Sequence, residues 1–145
     1  MSAENVELVR SMHPGPDFDL APLINDDHAS DWWREMIGHR FDSAVRATMR
    51  LPGTETSSYS GLDGLRDAWL AWMEHWKSYH DEIEDAIDDG ERVIVVHRCH
   101  GRTHAGAPEV SHRSATIWTL RDGRVAAVDF NVPYEEALSG VGVAS

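Results

Sequence analysis

The sequence predicts an α+β fold in which a curved antiparallel, or mixed, sheet wraps around helices that precede it in the chain. Three observations carry this expectation. Arg92–His104, Val110–Leu120 and Arg124–Val132 read as three consecutive strands, separated by the Ala105-Gly106-Ala107-Pro108 loop and the Arg121-Asp122-Gly123 turn. Leu65, Trp69, Trp72 and Trp76 recur at helical spacing ahead of them, in a stripe able to floor a sheet. Every other helical pattern except a short one near the C-terminus also precedes the strands. A sheet curved onto helices encloses a pocket, so pocket chemistry is the functional question.

In chain order, Ser2 suits the cap of a helix over Ala3–Met12, with Glu4 and Glu7 near its positive end and His13-Pro14-Gly15-Pro16 to stop it. Asp17 opens a short apolar segment, Phe18–Ile24. Asp26, Asp27 and Ser30 offer caps for a helix that carries Trp32, Trp33, Met36 and Ile37 to about His39. Ala44–Met49 reads as a first strand, ending before Leu51-Pro52-Gly53, where proline removes a ladder donor; Gly53–Ser60 reads as a loop. The long helix follows Gly61. Tyr79–Ile87 alternates as a strand and turns through Asp88-Asp89-Gly90 into the next. Pro133 starts a last helix, Tyr134–Leu138, which Gly140 ends.

At 145 residues, with no linker, repeat or low-complexity tract, the chain reads as one domain, 1–145, able to bury roughly 70% of its unfolded surface. A net charge of −12, from 25 acidic and 13 basic residues, repels polyphosphate and anionic lipid, which argues against nucleic-acid and membrane partners. No basic segment followed by an apolar core opens the chain and no apolar run reaches spanning length, so a cytoplasmic location is expected. Cys99, the single cysteine, has no internal partner and reads as a small buried hydrophobe, with a reactive thiol as the alternative.

The order of helices, strand, long helix, four strands and terminal helix resembles the cone-shaped fold named after nuclear transport factor 2, and within it the SnoaL-like family. The resemblance spans nearly the whole chain. It rests on Glu4-Asn5-Val6-Glu7, Tyr59-Ser60-Gly61-Leu62-Asp63-Gly64-Leu65, Asp89-Gly90-Glu91-Arg92-Val93, Ile117 to Val125 through Asp122-Gly123, and Glu135-Glu136-Ala137-Leu138. These motifs are structural, so they support fold more than reaction. The resemblance implies a deep apolar cavity between sheet and helices, and a homodimer through the outer sheet face. Active members depend on a carboxylate or histidine whose proton affinity is tuned by an apolar pocket. The epoxide-hydrolase pattern keeps Arg92 but meets Ile94 and Phe130 where carboxylates belong. The steroid-isomerase pattern meets Arg50 or Leu51 and Thr116. The aspartate-histidine pattern of polyketide cyclases is imitated only by Asp129 with His112.

Strand parity decides which groups face inward. A three-residue loop with Gly123 left-handed pairs Leu120 with Arg124, Trp118 with Ala126, Thr116 with Val128 and Ser114 with Phe130, and places these with His112 and Val132 on the inner face. A two-residue Asp122-Gly123 turn brings Asp129 beside Thr116 instead; the first register is favoured because a lone buried aspartate is costly. Centring the preceding turn near Gly106 sets His100 opposite His112, Arg98 opposite Ser114 and Val96 opposite Thr116.

His112 or His100 is then the expected acid/base group and Arg98 the oxyanion partner, while Trp33, Ser114, Thr116, Trp118 and Phe130 line the substrate site. Histidines near a strand end also serve merely to satisfy a neighbour's hydrogen bond. Nine histidines raise a metal site, with loose spacing at His97, His100 and His104, but alternation sends His97 away from His100. Neither metal nor cofactor is expected. The acidic run Asp81, Glu82, Glu84, Asp85, Asp88 and Asp89 reads as solvated surface. The expected function is a pocket for a small, apolar, cyclic or polyketide-like molecule, with cyclisation, isomerisation or dehydration by proton transfer. The alternative is a non-catalytic ligand-binding or dimerisation module. Outward Val125, Ala127 and Ile117 form the apolar stripe expected at a homodimer interface.

Overall fold

The computed structural model describes residues 2–12, 19, 38–50 and 56–139. Helix α1 (Ser2–Ser11) and a short 3-10 turn (Gly38–Arg40) come first, followed by β1 (Phe41–Met49), β2 (Ser57–Ser60) and helix α2 (Gly61–Met73). Strands β3 (Ser78–Asp89), β4 (Arg92–Arg102), β5 (Val110–Arg121) and β6 (Arg124–Val132) lead to helix α3 (Tyr134–Ser139). The expected helix around Trp32 and Trp33 lies outside the described residues. Six strands form one open mixed sheet in the order β2-β1-β6-β5-β4-β3, with β1 parallel to β6 and every other neighbour antiparallel.

Ser57–Ser60, expected as loop, is a sixth strand that pairs with β1 from Arg46↔Ser60 to Met49↔Ser57. Its polar Ser57-Ser58-Tyr59-Ser60 sequence carries no apolar alternation, so only the neighbouring edge of β1 makes it a strand. Helix α2 buries Leu65, Ala68, Trp72 and Met73 against the inner sheet face, where Val9 of α1 joins them. Phe41, Val45, Ala47, Met49, Val93, Val95, Trp118 and Val128 complete this main core. A smaller cluster on the outer face, Ile94, Ala115, Val132 and Ala137, lies under α3. Arg50 pairs with Glu136, and Arg113 stacks 4.9 Å over the Tyr134 ring, which ties α3 to the sheet.

Three corrections of register follow. β4 and β5 pair one residue away from expectation, with Val95↔Thr116, His97↔Ser114 and Cys99↔His112. Val93, Val95 and Cys99 therefore face the helices and Ile94 faces out. The apolar run Val93-Ile94-Val95-Val96 suits either face and could not decide this. The observed choice leaves Arg92 and Arg98 outside, ion-paired with Asp89 and Glu84, and seats Gly101 inside, where an added Cβ would lie 2.5 Å from the Trp76 ring.

The β5–β6 turn is the two-residue kind, with Arg121↔Arg124 across Asp122 (φ 54) and Gly123 (φ 77). It does not carry Asp129 inward, because Ala126 bulges between Leu120↔Val125 and Thr119↔Ala127, which sets Trp118 opposite Val128 instead of the expected Ala126. Asp129 stays on the outer face and accepts a 2.7 Å hydrogen bond from Thr48 Oγ1. The same bulge turns Val125 into the main core, removing it from the expected outer stripe. A second irregularity at Asn131 (φ 57) sends Val132, expected inside, to the outer cluster.

Candidate functional site

β3, β4 and β5 run side by side, and their inward positions bring polar groups together on the sheet face that the helices cover. Asp81 lies opposite Cys99, and His97 lies opposite both Ile83 and Ser114. His97 Nδ1 is 2.7 Å from Asp81 Oδ1, and its Nε2 is 2.9 Å from Thr116 Oγ1. An ionised carboxylate only accepts, so in the neutral ring Nδ1–H donates to Asp81 and Nε2 accepts from the Thr116 hydroxyl. Three side chains from three strands thus form one hydrogen-bonded chain. Asp81 keeps 16% of its side chain exposed against 6% for His97, so the carboxylate is the more accessible end.

Around this chain the titratable groups are held neutral. Burial, reinforced by the Asp81 charge, pushes the Cys99 thiol up to about 12. Its Sγ lies 3.9 Å from Asp81 Oδ1. Burial also pushes the Tyr79 phenol well above its ordinary range. Loss of solvent lowers the proton affinity of His112, with the nearby histidines adding to this and the Asp81 charge opposing it. The His112 ring sits among Trp72, Trp76 and Tyr79 at centroid distances of 5.9, 6.3 and 6.4 Å. Among the described residues, its Nε2 and the Trp76 Nε1 are both buried without a hydrogen-bond partner. Further along the same face, Trp118 meets Phe130 edge-on at 6.1 Å, and Trp69 lies 5.7 Å from Phe130.

The sequence-derived residues divide between the two faces. His112, Ser114, Thr116, Trp118 and Phe130 lie on the inner face. Arg98 and His100 do not, because the one-residue register difference turns them outward; Arg98 there pairs with Glu84 at 3.4 Å. Glu84 also binds Arg113 at 2.7 Å, which holds its carboxyl below the usual range. Trp33 lies outside the described residues. Asp81 and His97 are expected elsewhere from the sequence, one in a solvated acidic run and the other on the far face. The signal available for Asp81 was its alternation with Tyr79 and Ile83. For His97 it was the parity shared with Gly101, the one position in the strand able to lie beneath a tryptophan. Among the described residues no group of three or more His, Cys, Asp or Glu is placed to hold a metal ion.

Residues 29–128 match the protein-family description "SnoaL-like domain". No curated protein matches the chain. Solved structures share the fold at low identity. A protein of Jannaschia sp. CCS1, provisionally described as a SnoaL-like polyketide cyclase, is 19% identical, with 99% of this chain and 95% of that one covered and a TM-score of 0.60. TerC, co-crystallised with polyporic acid, is 16% identical over 95% of this chain and 97% of its own, with a TM-score of 0.62. An NTF2-like protein of unknown function from Burkholderia pseudomallei K96243 is 13% identical over 96% and 98%, with a TM-score of 0.63. No helix among the described residues is long and apolar enough to cross a membrane.

Proposed function

Because the chain belongs to the SnoaL-like family, we propose that it holds a small, mainly apolar ring compound between sheet and helices and moves a proton on it without a cofactor. The observation that carries this reading is the Asp81–His97–Thr116 chain on the inner face. Asp81, the more exposed member, is the acid/base group that meets the substrate. His97 is its positioning residue: the Nδ1–H bond aims the carboxylate and stabilises its charge, and Thr116 fixes the ring from the other side. Cyclisation, isomerisation and dehydration all begin with removal of a proton beside a carbonyl, which one such carboxylate in an apolar setting can perform. The aromatic side chains suit a flat ring, and the polyporic acid co-crystallised with TerC supports a small-molecule ligand here. A second copy of the chain meeting the outer sheet face at Ile117 and Ala127, and a cytoplasmic setting that keeps Cys99 a thiol, complete the proposal.

Deuterium uptake at C2 of 1-tetralone, an enolisable bicyclic ketone, followed by NMR in D2O, tests the reaction. Wild-type protein should accelerate exchange over buffer, Asp81→Asn should lose about a hundredfold or more, and His97→Gln should lose less. Equal rates for wild type and Asp81→Asn would sink the catalytic reading. One observation favours a binding module instead: both His97 nitrogens are already satisfied by Asp81 and Thr116, as in a purely structural polar cluster. Tight binding of 1-tetralone with no exchange above buffer is the outcome that selects it.

A further inference from the structure

His112 and Trp76 are not used by the proton-transfer chain, yet each buries a polar ring nitrogen that has no hydrogen-bond partner among the described residues. Such atoms are rare in folded proteins, because a donor shut away from water loses hydrogen bonding that the unfolded chain enjoys. These two lie in one place. The rings stack at 6.3 Å with an interplanar angle of 20°, and Trp72 and Tyr79 close the same box at 5.7 and 5.0 Å from Trp76. His112 is also cross-strand neighbour to Cys99, which in turn faces Asp81. His112 therefore sits two strands from the acid/base carboxylate, with Cys99 between them, on the same face.

We propose that Trp76 Nε1 and His112 Nε2 recognise an oxygen on the ligand ring, so that the site selects a flat ring bearing a carbonyl or hydroxyl over the plain hydrocarbon. The inference rests on the reading of the inner face as a ligand site. An indole N–H only donates, whereas a neutral imidazole nitrogen donates in one tautomer and accepts in the other. A carbonyl is met by two donors, and a hydroxyl by the indole donating to its oxygen while Nε2 accepts its proton. Burial keeps His112 neutral near pH 7, which leaves both tautomers available. The surrounding rings are apolar, so an acceptor enters with a ligand that parts them rather than as bulk water. Trp76 is held in place from beneath by Gly101, whose backbone leaves no room for a Cβ under the ring.

Calorimetric titration with 1-tetralone and with tetralin, the same bicycle without oxygen, tests this in wild type, Trp76→Phe, His112→Phe and Asp81→Asn. Wild type should prefer the ketone by tenfold or more, and each of the two ring variants should lose about tenfold of ketone affinity with tetralin affinity unchanged. Asp81→Asn should keep the preference. An unchanged ketone-to-hydrocarbon ratio in folded Trp76→Phe and His112→Phe, or no preference in wild type, overturns the assignment. If one ring variant fails to fold, the other decides alone. Loss of deuterium exchange in Asp81→Asn with an unchanged ratio in the ring variants defeats this inference alone; the converse result defeats the proton-transfer reading alone.

Discussion

Residue by residue, the inner face separates two kinds of histidine. His97 has both nitrogens engaged, between a carboxylate and a hydroxyl, and is buried because those bonds replace water. His112 is packed among aromatic rings with one nitrogen unmet by any described residue, and desolvation lowers its proton affinity. The sign of the resulting pH dependence follows from linkage. The unfolded chain binds the proton more readily, near pH 6.5, so the stability contributed by neutral His112 is present above that value and is lost as pH falls toward the depressed folded value. Replacing His112 by Gln removes the titrating group. The unfolding free-energy difference between wild type and His112→Gln should therefore move in the variant's favour between pH 8 and pH 5, as measured by urea denaturation. A difference independent of pH would contradict the burial argument. His112 was legible in the sequence because alternation along β5 puts it with Ser114, Thr116 and Trp118 whichever way β4 pairs.

At the scale of the element, β6 shows how a strand can change face twice within nine residues. The bulge at Ala126 and the left-handed Asn131 each offset the side-chain alternation by one, which is why Val125 and Val128 are both inside and Val132 is outside. Asn131 is anchored by a 2.6 Å bond from its Nδ2 to the Arg50 carbonyl, a contact from a strand distant in sequence. The register of β4 is set in a similar non-local way, by Trp76 lying on Gly101. A Cβ there would approach two ring carbons to 2.5 and 2.7 Å and the Ser78 carbonyl oxygen to 2.8 Å. Gly101→Ala should accordingly destabilise the fold by about 1–3 kcal/mol. A denaturation midpoint equal to wild type would show that the ring moves aside freely.

Among the described residues of the whole molecule, the two sheet faces have unequal coverage: α1 and α2 floor one, and the short α3 covers part of the other. That asymmetry motivates the proposed dimer. Light scattering at micromolar concentration should return twice the 16.3 kDa chain mass, and Ile117→Asp should shift it toward one; a wild-type monomer contradicts the proposal. Hydrophobic periodicity, turn residues and charge are properties of neighbouring positions, and they suffice for the α+β class, the long tryptophan-bearing helix, the four late strands and the inward His112, Ser114, Thr116, Trp118 and Phe130. Pairing between strands is different in kind. One residue of slip exchanges every side chain between core and solvent, and here the choice rests on contacts that only the assembled fold supplies: Trp76 on Gly101, Arg98 against Glu84, and Asn131 on Arg50. The chain alone thus determined its architecture. Tertiary packing decided that Asp81 and His97, rather than His100 and Arg98, occupy the interior, because desolvation favours burying the pair that can satisfy each other.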